Sequence, residues 1–211
     1  MKTNNNKISR RELLTSTAML GGSALLLGRL QNASASLLNS KSKEDISNYS
    51  ELAPGEPGKD YNPVITPNGS SLPYKIVDGV KVFHLIVEEI EHEFAPGLKA
   101  TCWGYNGSVH GPTIEAVEGD RVRIYVTNNL YAATTVHWHG IILPFGMDGV
   151  GGLSQRAIQP GETFLYEFTL KQHGTFMYHS HHDEMTQMSM GLMGMIVIHP
   201  RESKTPRPDR D

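Results

Sequence analysis

From Val80 to His199 a turn signal breaks the chain every few residues, and only Asp183–Met193 has a helical pattern. The clearest strand is Arg121–Asn128, where Val122, Ile124 and Val126 alternate with Arg121, Arg123, Tyr125 and Thr127. An alternation of period two places the apolar set on one face of a half-buried strand. Further strands are expected over Val80–Ile90, Leu98–Tyr105, Thr113–Val117, Thr134–His139, Thr163–Leu170, Thr175–His181 and Gly194–His199. Asn106-Gly107, Glu118-Gly119-Asp120, Gln159-Pro160-Gly161-Glu162 and Lys171–Gly174 supply turns between them. Roughly eight short strands in about 125 residues indicate an all-β fold, an antiparallel Greek-key β-sandwich or barrel.

The flanks are different in kind. Residues 1–35 read as an export signal. Ser9-Arg10-Arg11-Glu12-Leu13-Leu14 is a twin-arginine pattern, an apolar run spans Ala18–Leu27, and Ala33-Ser34-Ala35 fits a cleavage site. The apolar run falls short of the roughly 20 residues of a membrane span, so no stable membrane span is expected and the chain is placed in the periplasm by the twin-arginine route. Cleavage after Ala35 removes Lys2, Lys7, Arg10, Arg11, Arg29 and Glu12, which takes the formal charge from −3 to 14 − 21 = −7. That acidic balance argues against nucleic acid as a partner. Residues 36–75 are rich in Pro and Gly and read as a flexible leader or a surface-hugging extension without a core of its own. The folded domain is expected over 76–200. The charged tail 201–211 reads as a linker toward a missing domain.

Two His-x-His pairs, His137-Trp138-His139 and His179-Ser180-His181, end predicted strands. Residues i and i+2 of a strand point to one side, about 6.5–7 Å apart, so each pair projects two imidazoles together. If the strands are neighbours, four imidazoles converge. Neutral imidazole suits copper, zinc, iron or nickel, and the lack of a carboxylate cluster favours copper or zinc. One tetrahedral ion would use all four; a polynuclear copper site would divide them and need more ligands from elsewhere. The single cysteine, Cys102, excludes an internal disulfide and any zinc site needing several thiolates.

Thr135-Val-His137-Trp-His139-Gly140 and Gly174-Thr-Phe-Met-Tyr-His179-Ser-His181 resemble the first two copper-binding motifs of the multicopper oxidases, of the laccase and copper-resistance-oxidase type. Trp103–Gly107, Gly111–Ile114, Glu118–Asp120, Met147–Gly149 and Ile158–Gly161 are also similar, so the resemblance covers about Val80 to Pro200. It implies a cupredoxin fold, with His137 a ligand of the type 2 copper and His139, His179 and His181 ligands of the type 3 pair. It further implies that Asp148 relays protons to dioxygen beside the cluster. The residues alone also fit Asp148-Gly149 as a turn dipeptide. The family's His-Cys-His sequence, through which a type 1 copper feeds electrons to the cluster, is absent. Cys102 has no histidine within seven residues, and Ser180 stands where a blue-copper thiolate would be.

The chain is therefore expected to be an N-terminal oxidase domain, truncated or split. It would supply half of a trinuclear site for O2 reduction coupled to one-electron oxidation of Cu(I) or phenols. Its partners would be the remaining cupredoxin domains and O2, and alone it would be inactive. The alternative is a stand-alone periplasmic copper or zinc tolerance protein. Six methionines, Met177, Met185, Met188, Met190, Met193 and Met195, lie close together and suit either core filling or Cu(I) binding. His182 and His110 are expected to be exposed or supporting, and His84, His92, His173 and His199 structural. A missing neighbour should leave an apolar patch bare beside the histidines.

Overall fold

The computed structural model describes residues 52–202. The proposed export signal and most of the tail lie outside them. The order is β1 (Tyr74–Val77), β2 (Val80–Ala95), β3 (Leu98–Tyr105), β4 (Gly111–Val117), β5 (Arg121–Asn128), β6 (His137–His139), a 3-10 turn at Phe145–Met147, β7 (Thr163–Thr169), β8 (Gly174–His179), α1 (Glu184–Met190) and β9 (Met193–His199). The all-β cupredoxin-type architecture expected from the sequence is what is found. The one strand not anticipated is β1, a four-residue element next to Pro73 whose side chains are mostly exposed.

Two sheets face each other. One runs β1-β2-β5-β7, with β3 pairing the far half of the long β2; the other runs β4-β9-β8-β6. The pairing is not wholly antiparallel as expected: β2–β5 and β4–β9 are parallel. A parallel partner is brought in by a long crossover, and local turn signals cannot reveal it.

The alternating residues do what their period requires. Phe83, Leu85 and Val87 of β2, Val122, Ile124 and Val126 of β5, and Tyr166 and Phe168 of β7 point inward from the first sheet. Ile114, Ala116, Tyr178, Ile196, Ile198 and Trp138 meet them from the second. Trp138 is fully buried and sets its ring edge-on to Tyr166, with centroids 5.3 Å apart. Gly194 leaves the space that the Tyr178 ring occupies, since a Cβ there would lie 2.2 Å from the ring. The Tyr178 hydroxyl then donates to the Pro112 carbonyl at 2.7 Å.

Over its described part the segment before β1 packs on the sandwich and reaches into the core. Leu72 belongs to the main apolar cluster, and Tyr61 is buried and stacks on His199. A buried charge cluster fastens the segment. Lys81 is fully buried, pairs with Asp120 at 3.1 Å and donates to the Gly55 carbonyl at 2.8 Å. Asp120 also accepts from the Gly55 and Val117 amides and from Arg201. Burial pushes the Lys81 amine down from its ordinary value, opposed by the nearby Asp120 carboxylate. Polar groups sealed from water need such partners.

The residue between the first two histidines thus anchors the second sheet to the first. Trp138→Ala should cost about 3–5 kcal/mol, read as a lower urea midpoint with the m-value unchanged.

Candidate metal centre

Strand β6 is only three residues long, but its register with β8 decides the site. His137 pairs with His179, Trp138 with Tyr178 and His139 with Met177. With Trp138 and Tyr178 turned into the core, His137, His139 and His179 share the opposite face. One ligand nitrogen from each lies within 4.8 Å of the others. Ring centroids are 5.6 Å apart for His137–His139, 5.3 Å for His137–His179 and 5.4 Å for His139–His179. The rings run from exposed at His139 through half-buried at His137 to buried at His179.

His181 arrives differently. The strand ends at His179, so the i, i+2 rule that would align His181 with it no longer applies. Its ring still stands 5.3 Å from that of His137 and 6.2 Å from that of His179. It joins the cluster of rings without joining the group of three ligand atoms within 4.8 Å.

Hydrogen bonds fix the tautomers. A carbonyl only accepts, so His137 Nδ1–H donates to the Asp148 carbonyl at 2.6 Å and His179 Nδ1–H to the Ser180 carbonyl at 2.9 Å. Each neutral ring then presents a bare Nε2, the form a metal requires. His139 Nδ1 lies 3.2 Å from His179 Nε2. Two nitrogens about 2.0 Å from a common tetrahedral ion would be about 3.3 Å apart. The spacing is therefore that of two ligands of one ion. Burial, and to a smaller extent the neighbouring His137 and His139, lower the basicity of His179; the Ser180 carbonyl and Glu184 oppose them. A lowered imidazole stays neutral and competent to bind metal further into the acid range.

Asp148 sits at the end of the 3-10 turn, directly against His137. Its amide closes the 3-10 turn on the Phe145 carbonyl at 3.1 Å, its carbonyl holds His137, and its carboxylate lies 3.4 Å from His137 Nδ1. The next residue makes this approach feasible. Gly149 has φ of 79°, and a Cβ on it would fall 1.8 Å from the Val136 carbonyl oxygen.

One supporting residue has no sequence signal. Gln187 of α1 is buried, accepts from the Thr134 hydroxyl at 2.7 Å and the Ser180 hydroxyl at 2.5 Å, and donates to the Ala133 carbonyl at 2.7 Å. It ties the approach to β6 to the exit from β8. On sequence it is one polar residue in a short helix. Three of the other histidines have side-chain partners elsewhere: His84 with Thr127, His173 with Glu118 and His199 with Glu115. Cys102 is a buried thiol on β3, in the opposite sheet. Ile142, Phe145 and Leu153, in the segment after β6, and Met185, in the segment after β8, are 63, 66, 70 and 87% exposed.

Comparison with known proteins agrees with this architecture. The family model for multicopper oxidase matches residues 86–203. The chain is 46% identical over 112 residues to copper resistance protein A of Pseudomonas syringae pv. tomato, covering 53% of this chain and 18% of that protein. It is 43% identical over 122 residues to L-ascorbate oxidase of Cucurbita pepo var. melopepo, covering 55% of this chain and 22% of that protein. Among solved structures, a multicopper oxidase of Campylobacter jejuni described as a metallo-oxidase superposes with a TM-score of 0.59 at 32% identity, covering 72% of this chain and 33% of that one. A multi-copper oxidase of Pseudomonas thermotolerans gives 0.57 at 40% identity, covering 58% and 30%. The chain belongs to the multicopper oxidase family, whose metal is copper, and it spans about a fifth of the length of these two curated relatives.

A side chain at 149 would push the Asp148 carbonyl off His137. Gly149→Ala should weaken copper binding by roughly 10–100-fold, the usual cost of losing an outer partner of a ligating histidine, as measured by competition titration.

Proposed function

We propose that this chain is the copper-binding N-terminal part of a multicopper oxidase and supplies half of the histidines of a trinuclear copper site. In this reading His137 serves the type 2 copper, and His139, His179 and His181 serve the type 3 pair. The observation that carries it is the three-imidazole face created by the β6–β8 register, with His181 close by. Three nitrogens within 4.8 Å on an open face fit one wall of a metal site better than a closed four-ligand cage. The exposed apolar side chains Ile142, Phe145, Leu153 and Met185, in the segments that follow β6 and β8, support a covering neighbour. That neighbour would be another cupredoxin domain, supplying the remaining histidines and the type 1 copper. Domain bounds of 76–200 for the cupredoxin unit, with a leader before and a linker after, belong to the same reading, as does export to the periplasm by the twin-arginine route.

Copper supplies the one-electron chemistry: electrons drawn singly from a substrate such as Cu(I) or a phenol reduce O2 to water. The residues of this chain orient and protonate. The carbonyls of Asp148 and Ser180 hold His137 and His179 in the tautomer with a bare Nε2. In this reading the Asp148 carboxylate, partly exposed and 3.4 Å from His137, passes protons from solvent toward the face where O2 is reduced. No helix among the described residues is long and apolar enough to cross a membrane.

Metal titration of the purified chain tests the first step. Cu(II) should bind below micromolar Kd, and His137→Ala with His179→Ala should weaken it by about 100-fold or more. The isolated chain should show no intense copper–thiolate absorption and no oxidase turnover. Unchanged binding in the double variant would remove the basis of the reading.

A further inference from the structure

The second sheet carries a further set of metal donors on the same outward face. Met177 of β8 lies directly across from Met195 of β9, and Met193 is two residues from Met195. All three are half-buried, and all three line one groove of about 890 Å³. The row through Met195 and Met177 continues across the sheet to His139. The leader turn at 66–69, His110 and His139 line the same groove. The methionine-rich segment therefore divides into classes. Met190 packs on the core cluster and Met185 stands in solvent on α1. Met177, Met193 and Met195 lie together on the outward face, with Met177 across from His139 and Met193 across from His179.

We infer that Met177, Met193 and Met195 form a thioether site for cuprous ion that adjoins the three-histidine face and uses none of its ligands. Thioethers are soft, uncharged donors that select Cu(I) and need no proton loss to bind. Directly opposed residues of an antiparallel pair have Cβ atoms about 4.5–5.5 Å apart. Residues i and i+2 of one strand are about 6.5–7 Å apart. Methionine's three side-chain torsions let sulfurs at those spacings turn onto one ion. Leucine would cover the sheet equally well, so apolar cover alone gives no reason for sulfur at three adjoining places. His139, at the end of the row, sets this soft site beside the imidazole face. Cu(I) taken up here is held next to the centre without occupying it. The inference does not depend on the trinuclear reading, because it uses none of the ligands assigned there.

The test is an anaerobic competition titration of the full chain with Cu(I) against a chromogenic Cu(I) chelator, with copper K-edge absorption on the loaded samples. Sulfur scatterers are expected around Cu(I) in the parent chain and should persist in His137→Ala/His179→Ala, which separates this site from the histidine face. Met177→Leu/Met193→Leu/Met195→Leu should lower Cu(I) affinity by at least about tenfold and remove the sulfur shell. Leucine nearly conserves methionine's volume, and circular dichroism of the variant checks that the sandwich is intact. The control Met185→Leu/Met188→Leu should leave both readouts unchanged. Equal Cu(I) affinity in the triple variant, a nitrogen-only shell in the parent chain, or loss of affinity in the control would overturn the assignment.

Discussion

The three-residue ladder between β6 and β8 is the interaction on which the rest depends. It places His137 against His179, and the same register drives Trp138 and Tyr178 into the core. Strand geometry links the two outcomes: a slip of one residue would turn the imidazoles inward and the aromatics out. So short a strand cannot hold its register alone. Trp138 holds it from inside by packing on Tyr166, and the Tyr166 hydroxyl takes the Val136 amide at 3.1 Å. Gln187 holds it from the end by binding both Thr134 and Ser180. The stability of the sandwich and the orientation of the ligands are thus one problem with one solution.

Much of this was legible in the residues. The alternation in Arg121–Asn128 and Thr163–Leu170 reports burial of one face directly, and both strands form within a residue of the expected limits. The His-x-His spacing reports shared facing for His137 and His139 because both lie within a strand. His181 lies past the end of β8, where the strand rule no longer applies, yet Ser180 turns inward to Gln187 and the His181 ring stands 5.3 Å from that of His137. The parallel pairs β2–β5 and β4–β9 were not legible, because parallel partners are distant in sequence and leave no turn between them. Nor was the packing of the leader. Its Pro and Gly content suggested a segment without a core, whereas Leu72 and Tyr61 use the domain's core and the Lys81–Asp120 pair takes up the backbone at Gly55.

The chemistry of the outer face follows from what the core leaves over. One side of the second sheet is filled by Trp138, Tyr178, Ile196 and Ile114. The other side is therefore free to carry imidazoles at the β6 end and thioethers along β8 and β9. The imidazoles are held by carbonyls and a glycine-permitted loop. The thioethers are held only by strand register. Rigid nitrogen ligands suit a centre that must keep its geometry through changes of redox state, and pliable sulfur ligands suit an ion that must come and go.

The central claim is that copper is held by the histidines of this one face. Electron paramagnetic resonance of the 211-residue chain loaded with one equivalent of Cu(II) tests it most directly. The account predicts coupling to imidazole nitrogens that diminishes in His137→Ala and again in His137→Ala/His179→Ala. A Cu(II) signal without imidazole coupling, or one identical in the parent and the double variant, would contradict it.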